Sequence, residues 1–307
     1  MNTSIKMLKK VLALLLALVM ILSLTACGSL AAAKTLRKIQ KLNSFHVDCD
    51  MDLGFGLGFM GESISDLDLV IETNTDVSRG PLRGEGTMRM NVLDEPVEVL
   101  YYFEREDDTL TIYASPDGET WSKRTMDLGD GDSDFKLDAK SLLGISQFLS
   151  TFEETGTETI NGSDASVYSG AISGDDLKAS LDESGFVESF AEALDIDPDE
   201  LELDEIGSIP LTFAIDSESG LPVKLTADFS GFMGSLLPFF LEVGLKAVAA
   251  SEESEDMEKV TAMLSMMDIS CSKFTVTAVL SEFDQVAEGL IPEDVINEAV
   301  DSSISVH

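Results

Sequence analysis

Few residues in this chain have the types and spacing that catalysis or metal binding requires. The 307 residues include two histidines, His46 and His307, and neither has a cysteine or a second histidine at ligand spacing. A zinc site and a Ser-His-Asp triad are therefore not expected. Carboxylates alone could perform acid–base chemistry. With 57 acidic residues in the chain, however, a pair of nearby carboxylates does not by itself indicate a catalytic site. The sequence predicts a protein that is not an enzyme and that uses no metal and no other cofactor.

Two acidic segments partly match the opening of a calcium-binding loop. Residues 130–134 have the alternating acids, but Phe135 stands where the loop needs glycine and Ser141 where it needs a bidentate glutamate. Residues 195–199 fail in the same way, because Glu200 occupies the glycine position. Both segments are interpreted as solvated acidic loops.

The N-terminus predicts a covalent modification. Three lysines within the first ten residues precede the apolar run 11–24, which is too short and wrongly flanked for a spanning helix and is typical of a secretory signal peptide. Its end, Leu24-Thr25-Ala26-Cys27, resembles the lipobox of bacterial lipoproteins. This resemblance implies cleavage before Cys27 and a diacylglyceryl anchor on its sulfur. The alternative is an ordinary signal peptide or an uncleaved anchor, in which Cys27 is incidental.

The net charge is consistent with export. The chain has 20 basic and 57 acidic residues, and the signal peptide holds three basic residues and no acid, so the mature chain has 17 against 57, a net charge of −40. Such a charge argues against nucleic acid as a partner and against basic patches that dock on anionic lipids. We expect a domain on the extracytoplasmic side of the cell membrane, held there by its lipid anchor.

Cys49 and Cys271 remain after lipidation of Cys27, so one disulfide at most could form. Cys49 has the apolar parity of its strand, whereas Cys271 shares parity with Lys273, opposite Phe274. A disulfide needs side chains that point toward each other. Two free thiols are the favoured prediction.

Alternating apolar and polar residues predict an antiparallel sheet. In residues 45–59 eight apolar side chains alternate with His46, three aspartates and three glycines, which indicates a long half-buried strand. Short connectors rich in turn residues join the later alternating segments into hairpins. About eleven strands and four or five helices are predicted, with helices in 31–42, 141–152, 175–194, 231–267 and after Pro292. One curved antiparallel sheet with helices against one face, an α+β domain, fits this inventory.

The segment 231–267 is crowded with large apolar residues. Pro238, Glu242 and Lys246 make it a poor membrane span. It is interpreted either as ordinary core packing of helices on the sheet or as a cavity or lid for an acyl chain. The candidate lining residues for a hydrophobic ligand are Phe55, Phe59, Phe232, Leu236, Phe239 and Phe240.

Several motifs, in this order, resemble the LolA/LppX-like superfamily of lipoprotein carriers and lipid-binding lipoproteins. They are the lipobox at Cys27, the helix and strand of 34–59, and the segments 115–123, 215–223 and 291–295. The resemblance implies an unclosed β-barrel wrapped around helices, with a hydrophobic cavity between the sheet and the helices on its concave face. It implies no catalysis, and no binding residue of the family is carried over.

The expected organisation is a signal peptide in residues 1–26, a lipid-anchored tether in 27–33 and a single domain in 34–307. The favoured function is a membrane-anchored lipoprotein that binds a lipid or other hydrophobic ligand in that cavity. The alternative is a surface interaction or structural lipoprotein with a solid core and no small ligand. A hydrolase that uses carboxylates alone ranks third.

Overall fold

The computed structural model describes Lys38 and residues 41–59, 62–92, 95–107, 109–127, 152–183, 206–237, 239 and 267–301. Several predictions concern residues outside these ranges and are not addressed by the fold. They are the signal peptide, the tether with Cys27, the two acidic segments, residues 141–151 of the helix predicted over 141–152, most of the helices over 31–42 and 231–267, residues 184–194 of the helix over 175–194, Phe240 and His307.

Twelve strands in the described ranges form a single sheet. The strands are β1 Ser44–Phe59, β2 Glu62–Ser78, β3 Leu82–Val92, β4 Glu95–Glu106, β5 Thr109–Ser115, β6 Ser122–Asp127, β7 Glu153–Ile160, β8 Ser163–Ile172, β9 Ile209–Asp216, β10 Pro222–Asp228, β11 Met267–Ser281 and β12 Val300–Asp301. The described helices are α1 Gly174–Glu183, α2 over residues 230–237, and α3 Glu293–Glu298.

The sheet consists of two meanders that meet at its centre. Its order is β12-β6-β5-β4-β3-β2-β1-β11-β10-β9-β8-β7, so β1–β6 run outward to one edge and β7–β11 return from the other. The sheet is curved and open, since its terminal strands β12 and β7 are not neighbours. The prediction of a curved, unclosed antiparallel sheet is therefore confirmed.

The strand that the sequence did not predict is β12. It has two residues and pairs in parallel with β6, with Val300 opposite Ser122 and Asp301 opposite Lys123. Two residues are too few to show an alternating pattern. The expectation of about eleven strands, all of them antiparallel, is corrected by this short parallel pair.

The alternation along β1 separates the two faces of the sheet, because successive strand side chains point to opposite sides. Phe45, Cys49 and Met51 are buried on one side, which we call the core face, while His46 and Asp48 lie on the other, the outer face. Cross-strand partners share a face, so the register assigns the residues of neighbouring strands to the same two faces.

The helices contact both faces of the sheet. Leu177 of α1 and Phe232 and Met233 of α2 pack against the large cluster on the core face. Val295 of α3 packs instead with Tyr113 and Trp121 on the outer face. The expectation of helices against one face thus agrees with α1 and α2, whereas α3 departs from it. Pro292 immediately precedes α3, where a missing N–H costs nothing.

Local hydrogen bonds explain why the turns form where the sequence predicted them. After β5, Asp117 Oδ1 accepts hydrogen bonds from the backbone N–H groups of Glu119 at 2.9 Å and Thr120 at 2.7 Å, and from Ser115 Oγ at 2.9 Å. These bonds hold the pKa of Asp117 well below its usual range, because they stabilise the ionised carboxylate. Gly118 accepts the positive φ of +73° that this turn requires.

Candidate functional site

The strands of the core face differ in the burial of their apolar side chains. On β1 and on β9–β11 most of these side chains are buried, including Met51, Phe213 and Phe274. On β3 and β5 the apolar side chains that pack against the same cluster are only partly buried. Together with one residue of β2 they form a half-exposed surface, which we call the apolar wall: Leu69, Leu82, Met88, Met90, Leu110 and Ile112.

The register brings together the wall residues of three strands, β2, β3 and β5, with β4 between β3 and β5. Met90 on β3 lies between Ile71 on β2 and Val97 on β4. Ile112 on β5 lies opposite Phe103 on β4. The wall is thus a continuous surface of the sheet, built on paired strands.

Two glycines on β3 allow aromatic rings to lie over that strand. A Cβ at Gly84 would come within 2.3 Å of the Phe103 ring, and one at Gly86 within 2.9 Å of Tyr101 Oη. The Tyr101 hydroxyl is also hydrogen-bonded to Thr75 Oγ1 on β2. Both rings are buried, so the apolar wall has a tightly packed base at this point.

The wall continues to an exposed apolar end of the sheet. Leu57, Leu67 and Val97 have the parity of the core face near the β1–β2 and β3–β4 connections, and they are 38%, 47% and 37% exposed. Single exposed apolar residues need no explanation, but contiguous apolar surface marks a place where another molecule binds. Leu57, Leu67 and Val97 lie on the same face as the wall and toward this end of the sheet.

The structure places the predicted lining residues in different environments. Phe55 and Phe232 are partly buried and both pack against the core-face cluster, so they border the same surface. Phe59 is half-buried at the end of β1. Leu236 and Phe239 are buried, with exposed fractions of 5% and 7%, and their contact with a ligand stays a prediction. The sixth residue, Phe240, lies outside the described ranges.

Sequence reasoning did not assign the wall residues of β3 and β5 to the site. The alternation of Met88 and Met90 predicted their strand, but alternation does not distinguish a buried apolar position from a half-buried one. The sequence signal available was the pair of methionines, since flexible thioether side chains are frequent on surfaces that bind varied apolar partners.

A β-bulge changes the expected position of Cys271. Gly54 pairs with Lys273 and Phe55 with Cys271, so Ser272 is an extra residue and the parity of β11 changes there. Cys271 consequently packs against the core-face cluster, and its predicted location on the opposite face was wrong. Both thiols are free, as predicted.

The outer face carries His46 in a network of polar side chains. His46 Nδ1 lies 2.6 Å from Asp76 Oδ1, and Nε2 lies 3.3 Å from Asp48 Oδ1. Burial lowers the pKa of His46, but the hydrogen bonds to Asp76 and Asp48 and their charges more than offset it and raise the pKa above 6.5. His46 lies on the polar face as predicted, although it is bound to carboxylates rather than simply solvated.

Metal-binding clusters and membrane-spanning helices are absent from the described ranges. No group of three or more His, Cys, Asp or Glu side chains there is arranged to hold a metal ion. None of the helices in the same part of the chain has the length and apolar character needed to cross a bilayer.

Comparison with known proteins yields similarity in fold. No protein-family model and no curated protein matches the chain. Among solved structures, lipoprotein LppX of Mycobacterium tuberculosis is 16% identical, with 84% of this chain and 95% of LppX covered at a TM-score of 0.38. LprF of Mycobacterium bovis is 14% identical, with 85% and 93% covered, also at 0.38.

Proposed function

We propose that this protein is a membrane-anchored extracytoplasmic lipoprotein that binds a lipid or other amphiphile against the apolar wall and catalyses no reaction. The observation that supports the proposal most directly is the unequal burial of the core face. Most apolar side chains of this face on β1 and β9–β11 are buried, whereas those on β3 and β5 remain partly exposed, with the buried rings of Tyr101 and Phe103 on β4 between them.

The energetics favour an apolar occupant. Removing apolar surface from water contributes roughly 25 cal/mol per Å², or about 0.8 kcal/mol for each CH₂ group buried. An acyl chain that lies along the wall would bury its own methylene groups together with Met88, Met90 and Ile112. The two methionines suit a ligand of variable shape, because their unbranched side chains adapt to irregular surfaces.

The N-terminal sequence supports the proposed location. The lipobox ending at Cys27 and the strongly acidic mature chain fit a lipid-anchored domain outside the cytoplasm. The proposed tether, residues 27–33, would keep the domain close to the bilayer from which an amphiphile could enter. Metabolic labelling with an alkyne fatty acid tests the anchor: the wild type should be labelled and Cys27→Ser should not, and equal labelling of both would contradict it.

Native mass spectrometry with lipid extraction tests the binding function. The soluble form that starts at Gly28 is purified from cells without detergent, and its intact mass is measured before and after extraction. We expect one amphiphile for each chain that survives buffer exchange. A clean ligand-free mass, unchanged after incubation with phospholipids and fatty acids, would overturn the proposal and favour an interaction lipoprotein with a solid core.

A further inference from the structure

Charged side chains are distributed unequally between the two faces of the sheet. On the outer face, basic side chains pair with carboxylates: Arg83 with Glu104 at 3.4 Å, Arg89 with Glu98 at 2.6 Å, Lys224 with Glu158 at 2.8 Å and Lys273 with Asp52 at 2.8 Å. Such pairing is expected in a chain with 57 acidic and 20 basic residues.

Most of the core face of β1–β6 differs. At its positions within residues 45–57, 65–77, 82–90, 97–105, 110–114 and 122–126, the register places arginines but no carboxylate. The charged residues at these positions are Arg105 on β4 and Arg124 on β6, and both are exposed. Their positive charge therefore adjoins an apolar surface. At the opposite end of these strands the register pairs Glu62 with Phe59 and Glu95 with Val92.

Both arginines are direct neighbours of the apolar wall. Arg105 lies opposite Leu82 on β3 and Leu110 on β5, and Arg124 lies opposite Ile112 on β5. Their Cα atoms are roughly 12 Å apart, from a strand spacing of about 4.8 Å and a rise of about 3.3 Å per residue. Two long side chains at this separation can converge on one small group between them.

Neither guanidinium is neutralised by a carboxylate of the described residues. Arg105 Nε donates a hydrogen bond to the backbone carbonyl of Asp107 at 2.9 Å, and this neutral acceptor does not offset its charge. At the same end of the sheet, Arg79 lies over the Phe45 ring, 5.7 Å from its centroid. A planar guanidinium matches the geometry of a carboxylate or phosphate and can bind it through two parallel hydrogen bonds.

We propose that the amphiphile on the apolar wall has an anionic head group, a carboxylate or a phosphate, which Arg105 and Arg124 bind. The head group then lies at the β4–β6 end of the wall, and the hydrocarbon chain extends across Met88 and Met90 toward the exposed end at Val97. This inference rests on the proposed function, since it specifies the ligand class of the same site.

The test uses the full chain in nanodiscs of zwitterionic phosphatidylcholine and three photoactivatable probes of equal chain length. The probes are a fatty acid, the corresponding alkyl phosphate and the neutral methyl ester. The concentration of a given probe in the nanodisc membrane is the same for every variant. The extent of labelling by that probe is therefore compared between the variants, and different probes are not compared directly. The variants are R105Q/R124Q and, as a matched outer-face control, R89Q.

We expect labelling by an anionic probe to fall about tenfold or more in R105Q/R124Q, because the charged hydrogen bonds to the head group are removed. Labelling by the ester should stay at the level of the wild type. The control should label like the wild type with every probe. A stronger effect on the acid identifies a carboxylate as the head group, and a stronger effect on the alkyl phosphate identifies a phosphate.

Equal loss of the ester and the anionic probes, or unchanged anionic labelling in R105Q/R124Q, would overturn the assignment of the head group, whereas labelling of the wild type by the ester would still support apolar binding. Failure of all three probes to label the wild type would overturn the proposed function and this inference together.

Discussion

Ile112 on β5 and Arg124 on β6 are cross-strand partners, so an apolar and a cationic side chain stand next to each other on the core face. The same arrangement recurs one row further along, where Leu110 lies opposite Arg105. An amphiphile has the matching pair of properties within one molecule. These two strand pairings connect the proposed binding of a hydrocarbon chain with the proposed recognition of its head group.

Cys49 and Cys271 should differ strongly in reactivity. Burial, with a further contribution from the charge of Asp50, raises the pKa of Cys49 to about 12, and this side chain has no exposed surface. Cys271 is partly exposed. Because the thiolate is the reactive form, iodoacetamide at about pH 8 should alkylate Cys271 well before Cys49.

Peptide mapping of the alkylated protein measures both rates. Bound amphiphile should slow the reaction of Cys271, since Cys271 packs against the same core-face cluster as Phe55. Equal labelling rates for the two cysteines in the folded protein would contradict the described burial.

Alanine at Gly86 should destabilise the protein. A Cβ at this position would lie 2.2 Å from the backbone oxygen of Asn74, which cannot move without disturbing β2. Overpacking of this kind costs about 1–3 kcal/mol, and a fixed backbone contact favours the upper part of that range. The free energy of unfolding of Gly86→Ala, from denaturant titration, measures the effect.

Gly156 supplies the matched control for this substitution. A Cβ there would meet nothing within 4 Å, and Gly156 lies in the exposed edge strand β7. Gly156→Ala should therefore leave stability unchanged or raise it by a few tenths of a kcal/mol, as reduced freedom of the unfolded chain predicts. Similar losses in both variants would show that β3 and β2 are not as closely paired as described.

His46 should make stability dependent on pH. Its folded-state pKa is raised above the ordinary value of 6.5, because Asp76 and Asp48 favour the protonated ring despite burial. The interaction of the protonated His46 ring with Asp76 and Asp48 therefore stabilises the fold fully at a pH below the pKa of His46 in the unfolded chain. This stabilisation is lost as the pH rises through the higher pKa of His46 in the folded protein.

Unfolding free energies of the wild type and His46→Gln, measured between about pH 5 and pH 9, test this dependence. The free energy of unfolding of the wild type should exceed that of His46→Gln most at low pH, and this difference should shrink as the pH rises. Asp76→Asn removes the nearer carboxylate and should weaken the dependence. A difference that grows with pH would mean that His46 is stabilised as the neutral ring.

Much of the fold follows from local pattern. The alternation in β1 correctly separated Phe45 and Met51 from His46 and Asp48, because one face of the strand is buried and the period of two is fixed by backbone geometry. Cys271 was misplaced because a single extra residue, Ser272, reverses parity partway along β11. A bulge depends on the partner strand and leaves little trace in the sequence of its own strand.

The candidate site was harder to predict from sequence than the sheet. The crowded apolar segment after Gly231 suggested lining residues, yet Leu236 and Phe239 are buried. In the sequence, β3 and β5 show the same alternation of apolar and polar residues as a strand whose apolar side is fully buried. The partial exposure of their wall residues depends on which strands the helices cover, which is a property of the tertiary arrangement.

The central claim is that an amphiphile binds at the apolar wall. The most direct test measures how much amphiphile two variants retain, each with a glutamate at one of two adjacent positions on β3. Met90→Glu places a carboxylate on the apolar wall, whereas Asn91→Glu places it on the outer face, where Asn91 is exposed opposite Pro96. Intact mass spectrometry gives the ligand stoichiometry, and circular dichroism confirms that both variants are folded. We predict that Met90→Glu loses the amphiphile and that Asn91→Glu retains it. A folded Met90→Glu protein that carries as much amphiphile as the wild type would contradict binding at the wall.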